Sequence, residues 1–134
     1  MPRSLNVGAA QLGPIARDES RSTVVARLID LLQQGAEAGC DVVVFPELAL
    51  TTFFPRWYLD EGDASGISGD TTELDSYYER SMPGPETQPL FDEAKRLGVG
   101  FSLGYAELTA PDDDGVVHRF NTTILVERDG TIVG

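Results

Sequence analysis

Glu47 is the residue whose type and neighbours are best suited to chemistry. It follows the run Val42, Val43, Val44, Phe45, Pro46 and precedes the apolar stretch LALTTFFPRW at 48–57. A β-branched run stopped by proline reads as a buried strand that ends there. A carboxylate in an apolar setting has its ionised form disfavoured, the condition that suits a general base. The competing reading is a glutamate paired with a nearby arginine such as Arg56, or one capping the next turn.

A base of this kind needs a nucleophile to activate. The chain has one cysteine, Cys40, one lysine, Lys95, and one histidine, His118. Cys40 stands just before the valine run, at the opposite end of that strand from Glu47. Strand rise separates the two by roughly 15 Å, beyond hydrogen-bond reach. Cys40 therefore reads as a small buried hydrophobe. Lys95 falls on the polar face of a helix. His118, beside Arg119 after an acidic loop, reads as a solvated strand-end residue, and no Ser-His-Asp arrangement is supported.

The elements that must position Glu47 follow from hydrophobic periodicity. LNVGAAQL alternates Leu5, Val7 and Ala9 on one face and predicts a first strand. Asp18, Ser20 or Ser22 caps a helix with Val24, Leu28, Leu31 and Leu32 along one face, and Gly39 ends it. The strand at 42–45 follows at once, so the two strands are expected to be parallel in a βαβ unit. Active groups in parallel α/β sheets gather at the carboxyl ends of strands, where Glu47 sits.

Within a loop-rich stretch at 60–84, TTELDSYYERSM suggests a short helix. A further helix is expected over 86–97, burying Leu90, Phe91, Ala94 and Leu97 and ending at Gly98. In VGFSLGYAEL, the large residues Val99, Phe101, Leu103 and Tyr105 alternate with Gly100, Ser102 and Gly104. The near-bare face lets a helix or a ligand pack very close. VVHRFNTTILVE is its partner strand, and RDG turns the chain into TIVG.

At 134 residues and 41% apolar, the chain can form one modest core. Its 22 acidic and 10 basic residues give a formal charge of −12, which argues against a nucleic-acid or anionic-membrane surface. The acidic runs, PDDDG at 111–115 among them, read as solvated loops. A single cysteine, no signal-peptide stretch and no membrane-span window predict a soluble, cytoplasmic protein.

The segments VVVFPELALTT, MPGPETQPLFDEAKRLGVGFSLGYAE and FNTTILVERDGTIVG resemble the N-terminal part of the nitrilase superfamily of carbon–nitrogen hydrolases. The order of elements is similar too, and the resemblance covers nearly the whole chain. LALTTFFPRW together with ELDSYYERSMPGP most resembles N-carbamoyl-D-amino-acid amidohydrolases, with the stretch around 61–70 resembling an insertion.

The resemblance implies an α/β fold, the four-layered α-β-β-α sandwich of the nitrilase type. Residues 1–134 would be the N-terminal half of a single, incomplete domain. It also implies a Glu-Lys-Cys triad with no metal or organic cofactor. In that triad Glu47 matches the general base, a cysteine thiolate attacks an amide or carbamoyl carbon, and a lysine stabilises the oxyanion. The implied partners are a small-molecule amide or N-carbamoyl substrate and further copies of the chain in a dimer or tetramer. Phe53, Phe54 and Trp57 either wall the acyl pocket or belong to the core.

The family's lysine and cysteine match no residue of these 134. The chain alone is therefore expected to be inactive, with an uncovered apolar sheet face and an unpaired edge. The alternatives are another amidase or a ureidopropionase-like enzyme of the superfamily, or a catalytically inactive α/β domain.

Overall fold

A computed structural model describes residues 3–58 and 71–134. The glycine-rich acidic stretch at 61–70 lies outside the described residues.

Strand β1 (Val7–Ala9) leads to helix α1 (Arg21–Glu37), which returns the chain to strand β2 (Val42–Val44). Helix α1 begins where Ser20 accepts a hydrogen bond from the Thr23 backbone N–H at 3.2 Å, which satisfies one of the orphan donors of the first turn. It stops at Ala38, and Gly39 reverses the chain at φ 79°. Two short helices follow, α2 (Pro55–Tyr58) and α3 (Thr72–Ser76). Helix α4 (Gln88–Leu97) ends on Gly98 at φ 68°, and strands β3 (Gly100–Leu108) and β4 (Arg119–Val126) complete the order.

The four strands form one sheet in the order β1-β2-β3-β4, with β1, β2 and β3 parallel and β4 antiparallel to β3. The βαβ unit is therefore as its short connections require. Beyond β4 the chain doubles back, with Glu127 N–H donating to Thr131 and Val133 N–H to Leu125.

Helices α1 and α4 cover one face of this sheet. Val24, Leu28, Leu32, Leu90, Phe91 and Ala94 pack there on Val43, Phe101 and Leu103. Each fully buried Leu or Phe contributes about 1.5–3 kcal/mol relative to exposure. Leu97, expected among them, is only partly buried at the rim. The two helices are joined at the surface by Gln33, whose amide donates to Glu93 at 2.7 Å.

The other face is divided. Register places Val7, Ala9, Val42 and Val44 beside Gly100 and Ser102, with Leu125 opposite Ser102. Here Leu5, Val7, Val44 and Leu125 are exposed apolar side chains. Further along β3 the face is closed by a second, smaller core of Leu48, Phe54, Leu74, Tyr77 and Ala106, where Phe54 and Tyr77 stack with ring centroids 5.1 Å apart. Among the described residues no helix is long and apolar enough to cross a membrane.

Candidate active site

The chain leaves β2 with Phe45 N–H still donating to Ser102 at 3.0 Å, then crosses the bare face of β3. Gly104 makes that crossing possible. A Cβ at residue 104 would lie 3.1 Å from Glu47 Cα, 3.3 Å from Leu48 N and 3.3 Å from the Pro46 carbonyl oxygen. What packs on the glycine face is thus the backbone of the Glu47 segment itself, where the sequence suggested a helix or a ligand. Ala49 N–H donates to the Gly104 carbonyl at 2.9 Å and fastens the segment down.

Leu48 adopts a left-handed backbone at φ 47°, the sole non-glycine residue to do so among the described residues. A branched side chain in that region costs on the order of 1–2 kcal/mol. The cost is offset by burial, since Leu48 is 6% exposed within the second core. The reversal turns the backbone sharply immediately after Glu47, so that Leu48 points inward while the Glu47 carboxylate stays on the surface.

Glu47 is exposed in this chain. The apolar stretch after it folds inward through Leu48, Leu50 and Phe54 and does not enclose the carboxylate, so the expectation of an apolar envelope is corrected. The Glu47–Arg56 ion pair considered from the sequence does not form. Instead Asn121 Nδ2 donates to Glu47 Oε1 at 2.5 Å. Asn121 lies on β4 opposite Ala106, two pairs along from Gly104 and Thr123, hence on the same face as the Glu47 segment. Asn121 was not among the candidates expected from the sequence, although the period-2 alternation of FNTTILV and the bare positions of β3 carried the signal.

Glu47 borders a cleft of about 210 Å³ whose other walls include Leu12, Ile15, Thr51, Phe53 and Arg56. Of the three aromatic candidates, Phe53 lines this cleft and is exposed. Phe54 is a core residue. Trp57 has the guanidinium groups of Arg17 and Arg56 over its ring, 4.6 and 4.8 Å from its centroid. A larger opening of about 440 Å³ follows α1, but its cation Arg27 is committed to Glu19 and to the Leu12 and Pro14 carbonyls.

A second support reaches the Glu47 segment from below. Arg21, on the first turn of α1, donates to the Leu50 carbonyl and, at 3.3 Å, to that of Tyr77, and pairs with Glu79. Glu79 in turn brackets β3, its N–H donating to Ala106 at 2.8 Å and its carbonyl accepting from Leu108 at 2.9 Å. Burial pushes the Glu79 carboxyl above the usual range, against the pull of Arg21. Its buried Oε1 is the oxygen that pairs with the Arg21 guanidinium.

Cys40 is half-buried at the start of β2, and a Cβ at Gly8 would meet its Sγ at 2.9 Å. It is thus packed against β1 at the end of β2 remote from Glu47. Lys95 is exposed on α4, and His118 is exposed beside Asp112 at 2.9 Å. None of the three lines the Glu47 cleft. Among the described residues no group of three or more His, Cys, Asp and Glu is arranged to hold a metal ion.

Comparison with known proteins places these features in a family. A nitrilase 2 from an unknown prokaryotic organism is 32% identical over 133 residues, covering 97% of this chain and 39% of its own length. The aliphatic nitrilase of Rhodococcus rhodochrous is 25% identical, covering 97% of this chain and 33% of its own. The chain thus spans little more than a third of the curated relatives it matches. The crystal structure of a carbon-nitrogen hydrolase from Helicobacter pylori G27 superposes with a TM-score of 0.63 at 19% identity, covering 97% of this chain and 38% of that one, and shares its fold. The carbon-nitrogen hydrolase family model matches residues 6–134. With nearly every residue matched, this chain belongs to the carbon-nitrogen hydrolase family.

Proposed function

We propose that residues 1–134 carry the general-base part of a thiol-dependent hydrolase of non-peptide carbon–nitrogen bonds, with N-carbamoyl-D-amino acids as substrates. The observation that supports this most is the carboxylate of Glu47, held by Asn121 at the carboxyl end of a parallel strand and bordering an open cleft. In this reading the segment is the N-terminal part of a single domain. Cys40 is too far from Glu47 to serve, so polypeptide outside these residues supplies the nucleophilic cysteine and the oxyanion-stabilising lysine.

Glu47 takes the thiol proton, and the thiolate attacks the carbamoyl carbon. Ammonia leaves from the tetrahedral intermediate, the proton being returned to it. Water, activated by the same carboxylate, then releases the carbamate, which breaks down to the D-amino acid and CO2. Phe53 walls the cleft beside the reacting group. The reading carries a cytoplasmic homo-oligomer with it as an expectation.

The second reading, a nitrile substrate, is favoured by the names of the two curated relatives, both nitrilases. Ammonia release from an N-carbamoyl-D-amino acid, a simple aliphatic amide and an aliphatic nitrile separates the readings. Preference for the carbamoyl compound supports the first, and preference for the nitrile replaces it by the second. The 134-residue chain by itself is expected to release no ammonia from any of them. Turnover by that chain would contradict the account of the missing nucleophile.

A further inference from the structure

We propose that Asn121 is a positioning residue that decides which oxygen of Glu47 receives the nucleophile's proton. The proposal rests on the assignment of Glu47 as the base. A carboxylate can only accept hydrogen bonds, so the Asn121 side chain must present its NH2 group to Glu47 and cannot serve in its flipped orientation. The bond is made to Oε1. Oε2 is left as the oxygen for the proton, and rotation about the Glu47 side chain is restrained.

Three features of the sheet converge on this contact. Gly104 lets the backbone of residues 46–48 lie directly on β3. Ala106, buried and small, faces Asn121 across the strand pair and leaves its amide room to reach across β3. The left-handed Leu48 holds the Glu47 side chain out of the second core and toward β4. Among the described residues Asn121 is the one side chain that donates to the Glu47 carboxylate.

In the proton transfer, the S–H bond of the incoming cysteine breaks, its proton bonds to Oε2, and sulfur keeps the electron pair. Asn121 donates to Glu47 and is not among the residues that line the Glu47 cleft, so its assigned action is through Glu47 alone. It should therefore affect the rate of the step and leave substrate binding unaltered.

The test compares wild type, Asn121→Ala and Asn121→Asp in the enzyme as its host makes it, reading kcat, KM, Tm and the crystallographic position of the Glu47 carboxylate. Asp keeps the shape of Asn but replaces a donor by a like charge. The expected result is a fall in kcat of about tenfold for Ala, and a larger one for Asp, with KM within twofold, because a group acting only in the chemical step leaves ground-state binding unchanged. The Glu47 carboxylate should leave its wild-type position in both variants. An unchanged kcat in a folded Asn121→Ala enzyme overturns the proposal, as does a loss confined to KM or a Glu47 carboxylate that stays in place. Wild type without activity on any carbon–nitrogen substrate overturns the reaction itself. The crystallographic comparison then still decides whether Asn121 fixes Glu47.

Discussion

Adding one methyl group at Gly104 tests how tightly the Glu47 segment is seated. In Gly104→Ala the new Cβ would stand 3.1 Å from Glu47 Cα and 3.3 Å from both Leu48 N and the Pro46 oxygen. All three are backbone atoms, so no side chain can swing aside. The segment must lift by a few tenths of an ångström, away from the Ala49–Gly104 hydrogen bond. Overpacking of this kind costs about 1–3 kcal/mol. A part of roughly 0.4–1 kcal/mol is returned because alanine restricts the unfolded chain more than glycine. The net loss is thus on the order of 1–2 kcal/mol, a fall in Tm of several degrees in a domain this size. Displacing a catalytic group by 1 Å can cost about a hundredfold in rate, so a shift of a few tenths should lower kcat roughly three- to tenfold. Gly100→Ala is the control. Its Cβ would meet the Val126 carbonyl at 2.7 Å, a worse clash at the other end of β3. It should lower Tm at least as much and leave kcat within twofold of wild type. Equal losses of kcat in the two variants, or none in Gly104→Ala, would refute the reasoning.

Further consequences are as concrete. At Leu48 the usual order of small residues should invert. Leu48→Ala should cost about 2–5 kcal/mol for the emptied core, while Leu48→Gly should be the more stable of the two by about 1 kcal/mol because it relieves the left-handed backbone, as read from urea unfolding. Glu93 is pulled from 4.5 to about 2 by Arg96 first and Gln33 second. Its folded pKa is depressed, so its contribution is present above about 4.5 and is lost as pH falls toward about 2. Glu93→Gln should therefore be less stable than wild type at neutral pH, with the gap in unfolding free energy closing across that acid window. Cys40→Ala should leave kcat within twofold of wild type, because the thiol packs against β1 far from the Glu47 cleft. A large loss of activity would show that the nucleophile has been misplaced.

Much of the fold was legible because its signals are local. Ser20 and Gly39 mark the ends of α1 by capping chemistry, and Gly98 does the same for α4. The alternation of Val99, Phe101, Leu103 and Tyr105 identified the buried face of β3, and all four are buried. The valine run identified β2, and the position of Glu47 at its carboxyl end followed. What could not be read depends on which segments meet across the sheet. Glycines at 100 and 104 announced a close approach without saying of what, and the answer was the Glu47 backbone for one and the β4 carbonyl of Val126 for the other. Asn121 lies 74 residues from Glu47, and only the register of β3 with β4 brings it within reach. The left-handed turn at Leu48 is hidden because leucine carries no preference for it. The surrounding core imposes it. Composition also misled in one respect, since an apolar sequence around a carboxylate does not enclose it when the apolar side chains turn to the opposite side.

The most direct measurement of the central claim is kcat/KM for ammonia release from an N-carbamoyl-D-amino acid by the wild-type enzyme and its Glu47→Gln variant, with Tm measured alongside. The substitution keeps the size of the side chain and removes its capacity to take a proton. A general base contributes about 10²- to 10⁴-fold, so a loss of that size at unchanged Tm is the predicted result. A loss of no more than a few-fold in a folded variant would contradict the assignment of Glu47 as the base.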